Sequence, residues 1–231
     1  MTIIYHKNLM QRTDEWLAAR CGLLTASEMK FVLTEKTLKT ASNDKSRAHV
    51  WELLGQRVNN YVEPTYQSFD MQRGVEDEED ALILYNQHYA PVERCGFVTN
   101  DMLGFKLGYS PDGLVGDQGQ IEVKSCCQKW QMEVICDFLP AGKMPPEHVI
   151  QVQTGLLITQ RAWCDFISYG NGQPMVVIRV TPDLEVQEAI IAAATSVEKD
   201  IAEKMTRYNN TLAKFKCVPT LRKNRSDDLV L

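Results

Sequence analysis

No run of about 18 apolar residues occurs in this sequence, so a membrane-spanning helix is not expected. The opening stretch, MTIIYHKNLMQRTDEW, also lacks the apolar core and small-residue cleavage site of a secretory signal. Cytoplasmic placement is therefore the expectation. There is no CxxC pair and no Cys/His spacing of the kind that holds zinc. The cysteines number seven, an odd count, and Cys126 and Cys127 are adjacent, so their side chains diverge. Reduced, mostly buried thiols are expected rather than a disulfide frame. A basic excess is missing too, since the formal net charge is −5. That weighs against an all-over nucleic-acid-binding surface, but not against a basic groove or a metal site on an acidic chain. No repeat and no clear domain boundary is visible, which points to one domain over residues 1–231.

What is present is an ordinary globular composition, 44% hydrophobic and 24% charged over 231 residues, enough to bury a sizeable core. Positive charge gathers in two places, Lys30 to Arg47 and Lys214 to Arg225.

The stretch Leu107 to Ser125, LGYSPDGLVGDQGQIEVKS, carries the chemistry. A strand ending at Tyr109-Ser110 runs into the turn Pro111-Asp112-Gly113, and Gly116-Asp117-Gln118-Gly119 leads into a second strand, Gln120 to Ser125. Strand alternation points Ile121 and Val123 one way and Glu122 and Lys124 the other. Two carboxylates can hold a hard cation such as Mg²⁺ or Mn²⁺, and a lysine beside them can orient water or offset charge on a phosphate. Each piece alone is also ordinary turn or strand chemistry. Together, an aspartate followed about ten residues later by Glu-x-Lys on a strand resembles the PD-(D/E)xK nuclease superfamily. The fold class expected is α/β, a central mixed sheet flanked by helices.

Around this hairpin, residues 11 to 33 read as a short helix, a break at Gly22 and a second helix opened by the capping box Thr25-Ala26-Ser27-Glu28. Arg20 and Ser27 would then lie at a helix N-terminus suited to an anion. Residues 36 to 45 read as a mobile polar loop and 46 to 60 as a packed helix with Val50, Leu53, Leu54 and Val58. Tyr61 to Ser68 is a linker. Met71 to Tyr89 is a helix with Val75, Leu82 and Tyr85 on its stripe, and Glu76 to Asp80 reads as a solvated acidic face. Residues 92 to 99 form a strand. Gln128 to Phe138 is a short helix, Leu139 to Pro146 a loop, and Glu147 to Thr159 a helix with His148, Gln151 and Gly155 on one face. Trp163 to Tyr169, the Asn171-Gly172 turn and Met175 to Val180 make a hairpin. Leu184 to Leu212 is a long helix ahead of a basic tail.

Several stretches in order resemble the phage lambda exonuclease group of viral and phage recombination nucleases. They are Trp16 with Arg20-Cys-Gly-Leu-Leu-Thr-Ala-Ser27, Arg73-Gly74 leading to Glu78, Ser110-Pro-Asp-Gly-Leu114, Glu122-Val-Lys124 and Gln151-Val-Gln153. They lie between residues 16 and about 169, leaving the C-terminal helix and tail, 184–231, without a motif. The resemblance implies that Asp112, Glu122 and the carbonyl of Val123 bind metal, Mg²⁺ with Mn²⁺ as substitute and two ions per site. It implies that Lys124 positions or activates the attacking water, with Glu78 and Gln151 beside the centre. Arg20, Ser27 and Ser110 would hold the 5′-phosphate of a DNA end. His148 departs from the tyrosine common in the group, Gly155 from a common aromatic, and Cys126 stands where Cys-Pro is common.

The implied activity is that of a Mg²⁺-dependent alkaline exonuclease. It would digest linear double-stranded DNA 5′ to 3′ into mononucleotides and leave a 3′ single strand, in a bacterial or phage-infected cell. A ring-shaped homotrimer and a single-strand annealing protein as recombination partner are implied as well. A structure-specific or restriction-type endonuclease of the same fold is the alternative. From a different class comes a non-catalytic DNA-end-binding module, against which the intact Asp112, Glu122 and Lys124 argue.

Overall fold

The computed structural model describes residues 2–64, 69–170 and 172–222. The expected linker at 61–68, the Asn171-Gly172 turn and the basic tail to Arg225 therefore fall partly outside the described residues.

Chain order runs β1 (Ile3–His6), α1 (Asp14–Arg20), β2 (Leu24–Thr25), a 3-10 turn (Met29–Phe31), α2 (Asp44–Asn59) and α3 (Phe69–His88). There follow β3 (Phe97–Asn100), β4 (Leu107–Tyr109), β5 (Gly113–Val115), β6 (Gly119–Ser125) and α4 (Gln128–Glu133). A π-helical segment (Val134–Phe138), α5 (Leu139–Ala141), a second 3-10 turn (Pro146–His148) and α6 (Val149–Thr159) lead to β7 (Trp163–Tyr169), β8 (Val176–Val180) and α7 (Leu184–Lys214). The α/β class holds, with mixed sheets flanked by helices, but the strands divide into two four-stranded sheets, ordered β1-β3-β4-β2 and β5-β6-β7-β8. The chain steps from the first sheet to the second through Ser110, Pro111 and Asp112.

Each sheet has one parallel pair, β2 with β4 and β6 with β7, the rest being antiparallel. The strand alternation read from sequence is what layers the second sheet. Ile121 and Val123 of β6, with Ile167 of β7, pack against Ala81, Leu82 and Tyr85 of α3. Cys164 and Phe166 of β7 pack the opposite way, against Val152 and Leu156 of α6. Glu122 and Lys124 thus share the sheet face that meets α6. A larger core joins the first sheet to α2, α6 and α7, with Val186, Ile190, Ala193, Ala194, Val197 and Ile201 forming the buried stripe of α7. Among the described residues no helix is long and apolar enough to cross a membrane.

Local chemistry sets most of the helix ends. Thr13 caps α1 by accepting the Trp16 N–H, Asn43 and Ser46 form a reciprocal capping box on α2, and Asp183 caps α7. The Thr25–Glu28 box behaves differently. Glu28 does accept from the Thr25 N–H and hydroxyl, at 3.1 and 2.6 Å, but Thr25 is itself paired in parallel with Gly108 on β4. The sheet ladder holds that backbone extended, so only a three-residue 3-10 turn follows where a second helix was expected.

Other expectations change too. The 36–45 loop is closed by Thr34, whose N–H donates to the Lys39 carbonyl, and Leu38 packs on the main core, so it is not a free polar loop. The acidic run of α3 is not uniformly solvated, because Asp77 and Glu78 are buried. The expected loop after Phe138 begins as a continuation of helix through Ala141. All seven cysteines are free, yet only Cys95 and Cys164 are buried, whereas Cys127, Cys136 and Cys217 are exposed.

Candidate active site

The site forms at the seam where the two sheets meet. Asp112 follows the end of β4 by three residues and lies beside β6, its own N–H donating to the Ile121 carbonyl at 3.2 Å. Its Oδ2 accepts the Val123 N–H at 2.6 Å. On β6, Glu122 accepts three donors: Lys124 Nζ at 2.7 Å, Gln151 Nε2 at 2.5 Å and the Tyr109 hydroxyl at 2.9 Å. Glu78 reaches in from α3, gripped by Arg12 at 2.6 Å and approached by Arg94 at 3.8 Å. The sequence expectations for Asp112, Glu122, Lys124, Gln151 and Glu78 therefore converge in one place.

Electrostatics show how closely they interact. Burial raises the Asp112 pKa well above the usual carboxylate range, and the charges of Glu122 and Glu78 push it the same way. Burial alone would depress Lys124, but the charges of Glu122 and Asp112 outweigh it and hold the ammonium above its ordinary value. Lys124 is thus a firm cation in this state. Tyr109 is pushed well above its ordinary value by burial and then by Glu122, so it stays a neutral donor to that carboxylate.

Among the described residues, no three His, Cys, Asp or Glu side chains are arranged to hold a metal. A closed protein cage is not what Mg²⁺ asks for, however. One or two carboxylates suffice, with water and substrate phosphate completing the shell. Asp112 and Glu122 supply such a pair, and a dication would offset both the burial of the Asp112 carboxylate and its repulsion by Glu122 and Glu78. The donor set is all oxygen, which fits a hard ion.

A second cluster adjoins the first through Ser110, two residues before Asp112. The Arg20 guanidinium lies 4.3 Å from the Trp16 ring centre and donates to Thr25 Oγ1 at 3.2 Å and to Ser110 Oγ at 3.4 Å. Trp16 Nε1 also donates to Ser110 Oγ, at 2.9 Å, and Ser27 Oγ lies 3.4 Å from Thr25 Oγ1. Burial lowers the Arg20 pKa from its ordinary value, against the supporting charge of Glu28. Arg20, Ser27 and Ser110 are therefore neighbours, as expected. The helix N-terminus imagined behind them is not there, so side chains rather than amides make up this cluster.

Further residues enter the two clusters without having been assigned to them from sequence, among them Arg12, Arg94, Trp16, Thr25, Asp77 and Tyr109. Trp16 stood in the N-terminal motif and Thr25 in the capping box, so both were in view with other roles. Asp77 accepts from Ser125 Oγ at 2.5 Å just past Lys124. Nothing in the pattern around Tyr109 distinguishes it from a core strand residue. His148, stacked 5.4 Å from the Phe166 ring, has its pKa lowered to about 4 by burial and then by Lys124 and Lys30. Gly155 carries no aromatic because there is no room: an added Cβ would lie 2.8 Å from the Tyr109 ring.

The family model of the YqaJ-like viral recombinase domain matches residues 15–162, a span containing every motif residue of both clusters. The chain belongs to the YqaJ-like viral recombinase family. Among solved structures, this YqaJ-like chain is similar to an alkaline exonuclease (LHK-Exo) from Laribacter hongkongensis. The two are 32% identical with a TM-score of 0.70, over 87% of this chain and 100% of the other. The complex of LHK-Exo with dAMP gives the same identity and a TM-score of 0.69. A phage related exonuclease from Haemophilus somnus 129PT is 13% identical with a TM-score of 0.54, covering 79% of this chain and 96% of that one, which shows a shared fold. No curated protein matches the chain.

Proposed function

We propose that this chain is a metal-dependent exonuclease that hydrolyses linear double-stranded DNA from its 5′ ends, releasing mononucleotides and leaving a 3′ single strand. The observation that carries the reading is the junction of the two clusters. Asp112, which packs beside Glu122 and Lys124 of β6, lies two residues along the chain from Ser110, part of a hydroxyl-and-guanidinium pocket built on Arg20, Ser27 and Ser110. Similarity to the alkaline exonuclease of Laribacter hongkongensis supports the reaction class.

Asp112, Glu122 and the Val123 carbonyl would hold Mg²⁺, with Mn²⁺ as substitute and two ions per site. The metal would supply an acidified water and a counter-charge for the scissile phosphate. Glu78 would face the same ions from α3. Gln151 orients Glu122 through its amide, and Tyr109 does so through its hydroxyl. Lys124 would position or activate the attacking water and contribute positive charge where the phosphate gains negative charge. Arg20 and the hydroxyls of Ser27 and Ser110 would hold the terminal phosphate, which fixes how far the end advances toward Asp112.

Linear duplex with Mg²⁺ is expected to yield 5′-mononucleotides and a growing 3′ single strand, while closed circular duplex of the same sequence stays intact. Cutting of the circle would favour an endonuclease of the same fold, and binding of ends without any hydrolysis would favour an end-binding module. A closed homotrimer around the duplex, working with a single-strand annealing protein, belongs to the same proposal. A ring explains how a chain of net charge −5 retains a polyanion. Light scattering should give three times the chain mass at micromolar concentration, and a monomer mass would count against the ring.

A further inference from the structure

Glu78 is a buried carboxylate whose counter-charge comes from outside the catalytic strand. Its Oε2 meets Arg12 Nη2 at 2.6 Å, with the Arg12 side chain 42% exposed and that of Glu78 only 12% exposed. Arg94 stands further off, 3.8 Å from Glu78, and is committed to Glu79 at 2.5 Å. The two arginines, with Lys7 and Gln11, line a cleft of about 470 Å³ whose wall includes Glu78 and Asp112.

The backbone at Arg12 is held in an uncommon conformation. Its φ of 68° lies in the left-handed region that non-glycine residues seldom adopt. On one side, Thr13 donates its hydroxyl to the Met10 carbonyl at 2.9 Å; on the other, Gln11 donates to the Pro111 carbonyl at 3.0 Å, one residue before Asp112. The Gln11 side chain ties this segment to the catalytic turn while the Arg12 guanidinium remains at the cleft surface. Lys124 already offsets Glu122 at 2.7 Å, so Arg12 is the principal cation on the other side of the acidic group.

We propose that Arg12 is a displaceable counter-ion: it neutralises Glu78 while the site is empty, is released when a metal ion takes Glu78 as a neighbour, and then holds a phosphate of the DNA in the adjoining cleft. The inference rests on the metal-dependent reading above. A dication near Asp112 and Glu122 attracts Glu78 and repels a guanidinium, so the two cations compete for one carboxylate. A guanidinium freed at a cleft mouth has the planar donor fork that suits phosphate oxygens. Metal occupancy and DNA retention are thereby coupled through one side chain.

Arg12→Gly tests this, because glycine suits the left-handed backbone and removes only the side chain. Calorimetric titration with Mn²⁺ alone, without DNA, is expected to show roughly three- to tenfold tighter binding in Arg12→Gly than in wild type, since the competitor is gone. Binding of a 5′-phosphorylated duplex in Ca²⁺, followed by fluorescence anisotropy, is expected to weaken by about tenfold. Opposite signs for the two ligands are the signature, since a merely structural arginine would weaken both or neither. Unchanged or weaker Mn²⁺ binding, or unchanged duplex binding, overturns the proposal. Asp112→Asn separates it from the underlying reading. If the wild-type Mn²⁺ heat does not depend on Asp112, the metal site itself is wrong and Arg12 falls with it. If the heat depends on Asp112 but not on Arg12, only the counter-ion is wrong.

Discussion

Asp112→Ala and Lys124→Ala are both expected to abolish digestion, by different routes. Asp112 shares its space with Glu122 and Glu78, and its loss should remove measurable Mn²⁺ binding. Lys124→Ala should leave Mn²⁺ binding nearly intact and slow single-turnover hydrolysis by at least about 10²-fold. The structure sharpens the second half of this expectation. The ammonium lies 2.7 Å from Glu122, close enough to act on a phosphate held at the same carboxylates. Near-wild-type turnover in Lys124→Ala would remove it from the mechanism. The pH dependence has a definite sign. Metal binds the ionised carboxylate, and burial together with Glu122 and Glu78 raises the Asp112 pKa. The proton therefore competes until the pH exceeds that raised value. Mn²⁺ affinity should rise with pH and level off only above it, and an affinity flat across the acidic and neutral range would contradict this placement of Asp112.

The second large effect concerns the DNA end. Duplex bearing a 5′-phosphate is expected to be digested about ten- to a hundredfold faster than duplex bearing a 5′-hydroxyl, and Arg20→Ala should erase most of the difference. The magnitude follows from a charge-assisted contact in a partly buried pocket. Arg20 is prepared for it: its guanidinium is stacked on Trp16 and tethered to Thr25 Oγ1, so little side-chain freedom is lost on binding. Ser27→Ala should weaken the preference without abolishing it, because Ser110 and Thr25 keep their hydroxyls in the cluster. Equal rates on both ends in wild type, or a full preference surviving in Arg20→Ala, would move the pocket elsewhere. End-labelled duplexes compared in single-turnover reactions make the measurement.

Much of this site is written in short, local patterns. Alternation along Gln120 to Ser125 separates Ile121 and Val123 from Glu122 and Lys124, and the structure packs the first pair on α3 as the pleat requires. The long helix α7 follows from periodicity as directly, because it carries one consistent apolar stripe, and the β7–β8 pairing follows from two strand-forming runs on either side of an Asn-Gly turn signal. The ordered motif set from Trp16 to Gln153 identifies the family, and the match over residues 15–162 agrees with it.

Tertiary structure decided the rest. The Thr25–Glu28 box has the residues of a helix start, yet pairing of Thr25 with Gly108 fixes the backbone extended, and a distant strand outweighs a local propensity. Asp77 and Glu78 look like part of a solvated acidic run because sequence cannot say which helical face meets another element. Ser125, Arg12 and Arg94, each far away in the chain, give them partners that make burial tolerable. Tyr109 is a plain strand residue until Glu122, thirteen positions on, is folded against its hydroxyl. By itself the sequence determined which chemical groups are present and which strand face carries them, since those depend on neighbours two to ten residues apart. Only the fold decided which arginine answers which carboxylate, because charges buried together must be paired by whatever the rest of the chain brings to them.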